Sequence, residues 1–304
     1  ASCGFTLRAR SWASVIEYCH AVPGRLVGIP MISLYNIKNG IKELERCKED
    51  GLVGCLIWQV PPEHLPFTSD YYDPFWEAAQ DMNMPVNLHI LTGFNYSRFE
   101  RTGLDTYRTA VNTKLTDAAN SLFDMVFGGV LARFPRLKLV YVENEVAWLP
   151  FFVHEWDKYY KRFRTKMPLP FMEKLPGEYV TEQVYATFFS DPTGGWLMDH
   201  FGQDNFMWSN DYPHAASTWP HSRTVIAEEL GVSPGVAITD PVTGTGSMTV
   251  PLAPSPRSPR ASRLSAISGS MPAASHRDWA IAYPDGPRAR LYFDPGNPEA
   301  RRFV

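Results

Sequence analysis

The chain has 304 residues, of which 44% are hydrophobic and 13% aromatic. It can therefore bury a large core, which excludes a disordered polymer or a disulfide miniprotein. The formal net charge of -3 at pH 7 predicts neither nucleic acid nor a membrane as partner and favours a small-molecule substrate. A homo-oligomer is compatible with this charge.

Apolar runs alternate with longer amphipathic stretches from residue 11 to about residue 230. This alternation is typical of strands that feed crossover helices, and it predicts an α/β fold with a parallel sheet. Each run is nearly apolar on both faces, as expected of strands that are covered on both sides. The six predicted strands are Leu26–Ile32, Val53–Trp58, Val86–Ile90, Leu137–Val142, Val184–Phe189 and Asn205–Ser209.

Helical spacing of apolar residues predicts helices between these strands, at Asn36–Glu49, Asp73–Met82 and Val146–Phe163. Gly51 is placed to end the first of them, because glycine readily adopts the left-handed conformation found after helix C-termini.

Residues 231–304 have a different composition, dominated by Pro, Ser, Gly, Ala and Thr, with no Lys after Lys174. Such a segment buries too little apolar surface to offset its ordering entropy. We expect it to be a disordered tail that follows a catalytic unit at 1–230.

The four cysteines lie before residue 56 without metal-ligand spacing, which favours reduced thiols in a cytoplasmic protein. The sequence shows no export signal and no run of about 18 apolar residues. It begins without Met, and we interpret it as a chain shortened at its N-terminus.

Four predicted strands end in an ionisable residue: His89, Glu143, Asp191 and Asp211. The carboxyl ends of parallel strands meet on one face of a barrel, which is where such enzymes assemble a site. His89 and Asp211 are candidate metal ligands, since imidazole with carboxylate suits an open catalytic site. Asp211 could also accept a proton from metal-bound water.

The neighbouring acids have several interpretations. Glu143 is a third ligand or a general base, and Glu145 is expected to face solvent. Asp191 precedes Pro192, so a helix cap over Thr193–His200 is as good an interpretation as a chemical role.

Three further residues are candidate substrate contacts. His214 follows Asp211 by three positions and could contact substrate or orient that carboxylate. Arg98, or Arg101, is a candidate clamp for a substrate carboxylate in the loop after His89. Trp208 is one of several aromatic residues near strand ends that suit a planar substrate, although core packing explains them equally well; the others are Trp58, Phe94 and Tyr96.

Three segments resemble the amidohydrolase-related family, in the branch of aminocarboxymuconate-semialdehyde and resorcylate decarboxylases. They are PVNLH (Pro85–His89), FPRLKLVYVENEVAWLPFF (Phe134–Phe152) and MWSNDYPHAASTWPHS (Met207–Ser222). ELERCKEDGLVG (Glu43–Gly54) and YYDPFWEAAQDMNMPV (Tyr71–Val86) lie at the spacing that this family uses.

The resemblance implies a TIM-like (β/α)8 metal-dependent hydrolase barrel, here incomplete with about six of eight strands, the third to the eighth. It assigns His89 to the fifth-strand ligand, Glu143 to the sixth-strand position and Asp211 to the eighth-strand carboxylate. The first-strand ligand pair has no counterpart, and Glu143 stands where the decarboxylases carry histidine. The implied cofactor is a divalent metal, zinc in the first place, with manganese and magnesium as alternatives.

The leading functional hypothesis is a metal-dependent hydrolase or non-oxidative carboxy-lyase acting on a small cyclic or conjugated carbonyl compound. One alternative is a metal-independent barrel glycosidase that uses Glu143 and Asp211. This requires two carboxyl groups about 5–9.5 Å apart. The other alternative is a non-catalytic remnant of such a barrel, with open sheet edges.

Overall fold

A computed structural model describes residues 15–22, 26–94, 103–108, 112–197, 205–212 and 214–230, and three short segments at 249–250, 281–283 and 290–292. Five parallel strands lie side by side in chain order in this part of the protein, which confirms the α/β prediction. They are β1 (Cys55–Val60), β2 (Val86–Gly93), β3 (Leu139–Val142), β4 (Val184–Phe188) and β5 (Phe206–Ser209).

Helices occupy the connections between the strands, as the crossover pattern predicts. They are α1 (Ile37–Glu49), α2 (Asp73–Asp81), α3 (Gly103–Arg108), α4 (Lys114–Phe127), α5 (Val130–Arg133), α6 (Trp148–Phe163), α7 (Pro176–Gln183), α8 (Pro192–Leu197) and α9 (Ser222–Leu230). Gly51 adopts a φ of +86° after α1. The Leu52 amide there donates to the carbonyl of Cys47, so the predicted helix end is confirmed.

The first predicted strand, Leu26–Ile32, is reduced to a single parallel bridge between Met31 and Leu56. Pro30 explains this difference, because it has no amide hydrogen and cannot donate to a ladder. The sheet does not close into a barrel within the described residues. At the opposite side of the five parallel strands, β5 pairs in antiparallel fashion with β6 (Thr249–Val250).

The strand register determines which side chains share a face. Trp58 pairs with His89, His89 with Val142, and Thr187 with Met207, so these side chains lie on one face, the inner face. The opposite, outer face packs into the main hydrophobic core, with Ile57, Leu88, Tyr141, Phe188 and Trp208 among its residues.

The expectation that both faces are covered is met only in part on the inner face, where Asn87, Val140, Val142 and Thr187 are buried. Leu56, Trp58, Tyr185 and Met207 are only half-buried there. The open sheet accounts for this exposure, since a closed barrel would cover these side chains with strands from the opposite wall.

Cys47 and Cys55 are buried and free, in agreement with the reduced thiols expected. Within the described ranges, no helix combines the length and the apolar character needed to cross a membrane. The predicted tail lies mostly outside the described residues. Two of the described segments, β7 (Ile281–Tyr283) and β8 (Arg290–Tyr292), pair with each other.

Candidate active site

Four titratable side chains from three strand ends form a continuous chain of contacts. Nε2 of His89 lies 3.2 Å from Oε2 of Glu143, whose carboxyl group is in hydrogen-bonding contact with that of Asp211. Oδ2 of Asp211 lies 2.9 Å from Nδ1 of His214. Because β2, β3 and β5 run in parallel, their carboxyl ends bring together residues that are far apart in sequence.

The backbone is strained at two residues of this chain of contacts. Glu143 has a φ of +62° and Asp211 a φ of +53°, in the left-handed region that side chains other than glycine rarely adopt. Glu145 shares this conformation at +56°. Strain of this kind persists where the surrounding structure over-determines it, and it concentrates at functional sites.

Asp211 has a pKa raised to about 6, chiefly by burial and then by the nearby negative charge of Glu143. His214 and His89 oppose this rise. Two carboxyl groups so close disfavour full ionisation, because their like charges repel. Asp211 therefore keeps its proton to a higher pH than an ordinary aspartic acid.

His89 stands at the inner end of the chain of contacts, with 25% of its side chain exposed. Burial acts to lower its pKa, but the hydrogen bond and charge of Glu143 outweigh burial, so the pKa is raised. Nδ1 lies 2.9 Å from the carbonyl oxygen of Ile90, which fixes the ring and leaves Nε2 directed at Glu143.

Buried polar residues that the sequence interpretation missed hold Glu143 in place. The Glu143 amide donates to Oγ1 of Thr187 at 2.8 Å. Next to it, Nδ2 of Asn144 donates to Oε1 of Gln59 at 3.0 Å. The available signal is a polar residue in a run that is otherwise apolar, as in CLIWQV and VYATF.

Asp191 serves as a buried cap. Its Oδ2 accepts from the amides of Val146 at 2.8 Å and Ala147 at 2.7 Å, and Oδ1 accepts from the Gly194 amide at 2.8 Å. These contacts support its interpretation as a cap and join the starts of α6 and α8. Glu145 is half-buried and accepts from the Phe189 amide at 3.4 Å, so the expectation that it faces solvent is wrong.

The predicted substrate contacts lie in different places. His214 is 65% exposed at the outer end of the chain of contacts. Trp208 is 1% exposed and belongs to the outer-face core. Its strand position is offset by one from that of Met207, so it faces away from His89 and this placement gives no support to a substrate contact. Arg98 and Arg101 lie outside the described residues.

The donor set matches a divalent cation in kind, with one imidazole and carboxylates. In number it is incomplete, since the described part of the chain contains no group of three His, Cys, Asp or Glu side chains arranged to hold a metal ion. The glycosidase alternative gains no support from this arrangement, because the carboxyl groups of Glu143 and Asp211 are close enough for Glu143 to raise the pKa of Asp211, whereas that mechanism needs carboxyl groups about 5–9.5 Å apart.

Comparison with known proteins places this arrangement in context. Residues 5–238 match the family model described as amidohydrolase. A gamma-resorcylate decarboxylase from a Polaromonas species is 24% identical over 229 residues, which cover 71% of this chain and 70% of that protein.

Two crystal structures share the fold. An amidohydrolase from Mycobacterium avium subsp. paratuberculosis has a TM-score of 0.55 at 22% identity, covering 67% of this chain and 53% of its own. A 5-carboxyvanillate decarboxylase from Novosphingobium aromaticivorans, complexed with manganese and 4-hydroxy-3-methoxy-5-nitrobenzoic acid, has a TM-score of 0.63 at 18% identity, covering 75% and 65%. The chain thus spans between about half and 70% of the length of these relatives.

Proposed function

This chain belongs to the amidohydrolase family, and from that premise we propose that it catalyses the metal-dependent, non-oxidative decarboxylation of a small hydroxylated aromatic acid. The observation that carries the proposal is the contact chain His89–Glu143–Asp211–His214 at the carboxyl ends of three parallel strands. The decarboxylase relatives favour carbon dioxide release over hydrolysis.

The chemistry requires one proton for each turnover. When the bond between the ring and the carboxylate breaks, carbon dioxide leaves and the electron pair remains on the ring carbon, which must then be protonated. Asp211 or Glu143 supplies this proton. Burial and the neighbouring carboxyl group of Glu143 raise the pKa of metal-free Asp211 to about 6. Glu143 takes the role of general acid when Asp211 holds a cation, because a carboxylate that ligates a metal is ionised.

The two histidines have distinct tasks in this proposal. The exposed His214 contacts Asp211 and can return a proton from solvent after each turnover. His89 lies against Glu143 and keeps its carboxyl group directed into the site.

We propose His89 and Asp211 as two of the ligands of a divalent cation; the first-strand ligand pair that the family resemblance implies has no counterpart in this sequence. Such a cation, when bound, would polarise the substrate carboxylate or a neighbouring hydroxyl group. Imidazole with carboxylate suits zinc and manganese alike. Zinc is the metal that the sequence predicts, and manganese is the metal present in the carboxyvanillate decarboxylase relative.

We assign this activity to residues 1–230 and place the protein in the cytoplasm, where the free thiols of Cys47 and Cys55 would stay reduced. The partner is a small-molecule substrate, without nucleic acid or membrane. A homo-oligomer is consistent with this assignment.

The test uses the full chain, stripped of metal with a chelator and reloaded with Mn²⁺ or Zn²⁺. 2,6-Dihydroxybenzoate and 5-carboxyvanillate are supplied in D₂O, and products are followed by mass spectrometry. We expect metal-dependent carbon dioxide release and one deuterium in the product. His89→Ala and Asp211→Ala should each weaken metal binding at least tenfold, on the order of 1.4 kcal/mol. His154→Ala, in an exposed position of α6, should not.

Three results would contradict the proposal. Full activity in excess chelator would show that the reaction does not need a metal. A product with oxygen gained from water, without carbon dioxide release, would indicate hydrolysis. A folded chain that binds neither metal would favour the interpretation as a non-catalytic remnant.

A further inference from the structure

Helix α6 carries a row of four side chains on the side that faces solvent. They are Phe151, Glu155, Lys158 and Arg162, at intervals of four, three and four residues. Residues three and four apart share one side of a helix, so the row forms a stripe about 16 Å long. Phe151, Lys158 and Arg162 are exposed, and Glu155 is half-buried. We call these four residues the α6 stripe.

The exposure of the α6 stripe does not come from the open edges of the sheet. Helix α6 follows β3, which is the middle strand of the five parallel strands. Its opposite side packs into the main hydrophobic core through Leu149, Val153 and Trp156. Phe123 of the neighbouring helix α4 lies edge-to-face on Trp156, with ring centroids 5.9 Å apart. The stripe is therefore on the outside of a helix that is well packed on its inner side.

The two halves of the α6 stripe differ in chemistry. The first half carries an aromatic ring and a carboxylate, and the second half carries two cations. Within the chain, Nζ of Lys158 lies 3.0 Å from Oε1 of Glu155, and the Arg162 guanidinium lies 5.4 Å from the centre of the Phe163 ring. The cations of α6 thus already contact a carboxylate and an aromatic ring, the two groups that the first half presents.

This pattern is complementary to itself. A two-fold axis through the middle of the stripe exchanges its halves, so that two copies of α6 run antiparallel. Glu155 then lies opposite Lys158 of the partner subunit, and Phe151 lies opposite Arg162 of the partner subunit. Each pair occurs twice by symmetry, and each joins a cation with a group that attracts it, a carboxylate or the face of a ring. The spacing of four and three residues is also the one that suits two helices packed side by side.

Aromatic surface beside the stripe adds apolar area to this contact. Tyr159 and Phe163 stack on each other with ring centroids 5.9 Å apart and are 43% and 36% exposed, while Phe151 is 63% exposed. At about 200 Å² for a whole aromatic side chain, on the order of 300 Å² of this ring surface is open to solvent. A patch of that size is typical of interaction sites. It is smaller than the roughly 800 Å² per partner of a standard interface, so we expect reversible association.

We propose that the α6 stripe is the contact surface between two copies of this chain, which pair their α6 helices in antiparallel fashion about a two-fold axis. A second copy is the favoured occupant, because a single helix carries both halves of the required pattern. A partner of one charge would match only one half of the stripe. This inference goes beyond the proposed function and does not depend on it.

The test measures the dimer dissociation constant of the full chain by sedimentation velocity, from about 1 to about 200 μM. Glu155→Lys and Lys158→Glu are studied separately and as an equimolar mixture. Glu45→Lys and Lys48→Glu are the matched controls, because they lie on α1, are also exposed and have the same spacing of three residues. Phe151→Ser is a further variant that removes the ring without a change of charge. Circular dichroism checks the fold of each variant.

We expect a wild-type dimer with a dissociation constant in the micromolar range. Each single variant of the stripe places like charges opposite each other and should weaken dimerisation at least tenfold. In the mixture, a chain with Lys at both positions meets a chain with Glu at both, so the mixed dimer should form with an affinity within about threefold of the wild type. Phe151→Ser should weaken the dimer, and the two α1 variants should behave like the wild type.

A wild-type chain that stays monomeric at the highest concentration would overturn the inference and leave this surface to another partner or to solvent. A dimer that is unchanged in the stripe variants, or equally weakened in the α1 variants, would overturn it as well. So would folded single variants that do not pair in the mixture. If a charge variant fails to fold, Phe151→Ser decides, and a wild-type affinity of that variant would contradict the proposed contact.

Discussion

The strained conformation of Glu143 gives a prediction that separates the effect of backbone strain on stability from the effect of losing the carboxyl group. We compare Glu143→Gly with Glu143→Ala. Both variants lose the carboxyl group, but only Ala retains a Cβ at a φ of +62°. The left-handed conformation costs an L-residue roughly 1–2 kcal/mol, while glycine loses roughly 0.4–1 kcal/mol more than alanine through unfolded-state entropy. We therefore expect the glycine variant to be more stable by about 0.5–1 kcal/mol.

The assay is urea denaturation of both variants, followed by tryptophan fluorescence. The matched control is the same pair at Glu45, an exposed position inside α1. In a helix interior glycine is less favourable than alanine by about 1 kcal/mol, so the sign of the difference should reverse. A Glu143→Ala variant as stable as Glu143→Gly would refute the argument that strain is stored at this strand end. Both Glu143 variants should lose decarboxylation, since neither has the carboxyl group that acts as general acid when Asp211 holds a cation.

Two further predictions concern titration and packing. The folded-state pKa of Asp211, about 6, lies above its ordinary value of 3.8. Its contribution to stability is therefore present at low pH and is lost as the pH rises through 6. Metal-free wild type should lose unfolding free energy relative to Asp211→Asn between pH 4 and 7, and parallel stability curves for the two would contradict this. Gly93→Ala would place a Cβ 2.1 Å from the Val60 oxygen and should lower the melting temperature by several degrees, since a strained or overpacked site costs about 1–3 kcal/mol. Gly103→Ala, which meets nothing within 4 Å, should leave it nearly unchanged, and equal melting temperatures for the two variants would exclude the clash.

The local pattern of the sequence was sufficient to predict the parallel sheet and the strands that end in ionisable residues. Apolar runs of strand length bounded by polar residues identify buried strands, because each strand must satisfy its own burial requirement. His89, Glu143 and Asp211 were found in this way, at the points where three runs end. The cap at Gly51 was found by the same kind of local rule.

The strand register decided which face of the sheet each side chain lies on. Trp208 and Met207 are adjacent in the sequence, and only the pairing of β4 with β5 determines which of them shares a face with Trp58 and His89. Because side chains alternate along a strand, an aromatic residue near a strand end has no assigned face until the neighbouring strand is in place.

The contacts that give the site its chemistry were decided by tertiary structure alone. Glu143 and Asp211 are 68 positions apart in the sequence, and no local pattern brings them into contact. Likewise, Asp191 accepts a hydrogen bond from the amide of Val146, which lies 45 residues upstream and just before α6. The sequence by itself determined which chemical groups stand at the strand ends. The raised pKa of Asp211 depends on burial and on the neighbouring carboxyl group of Glu143, and the packing of the parallel strands provides both.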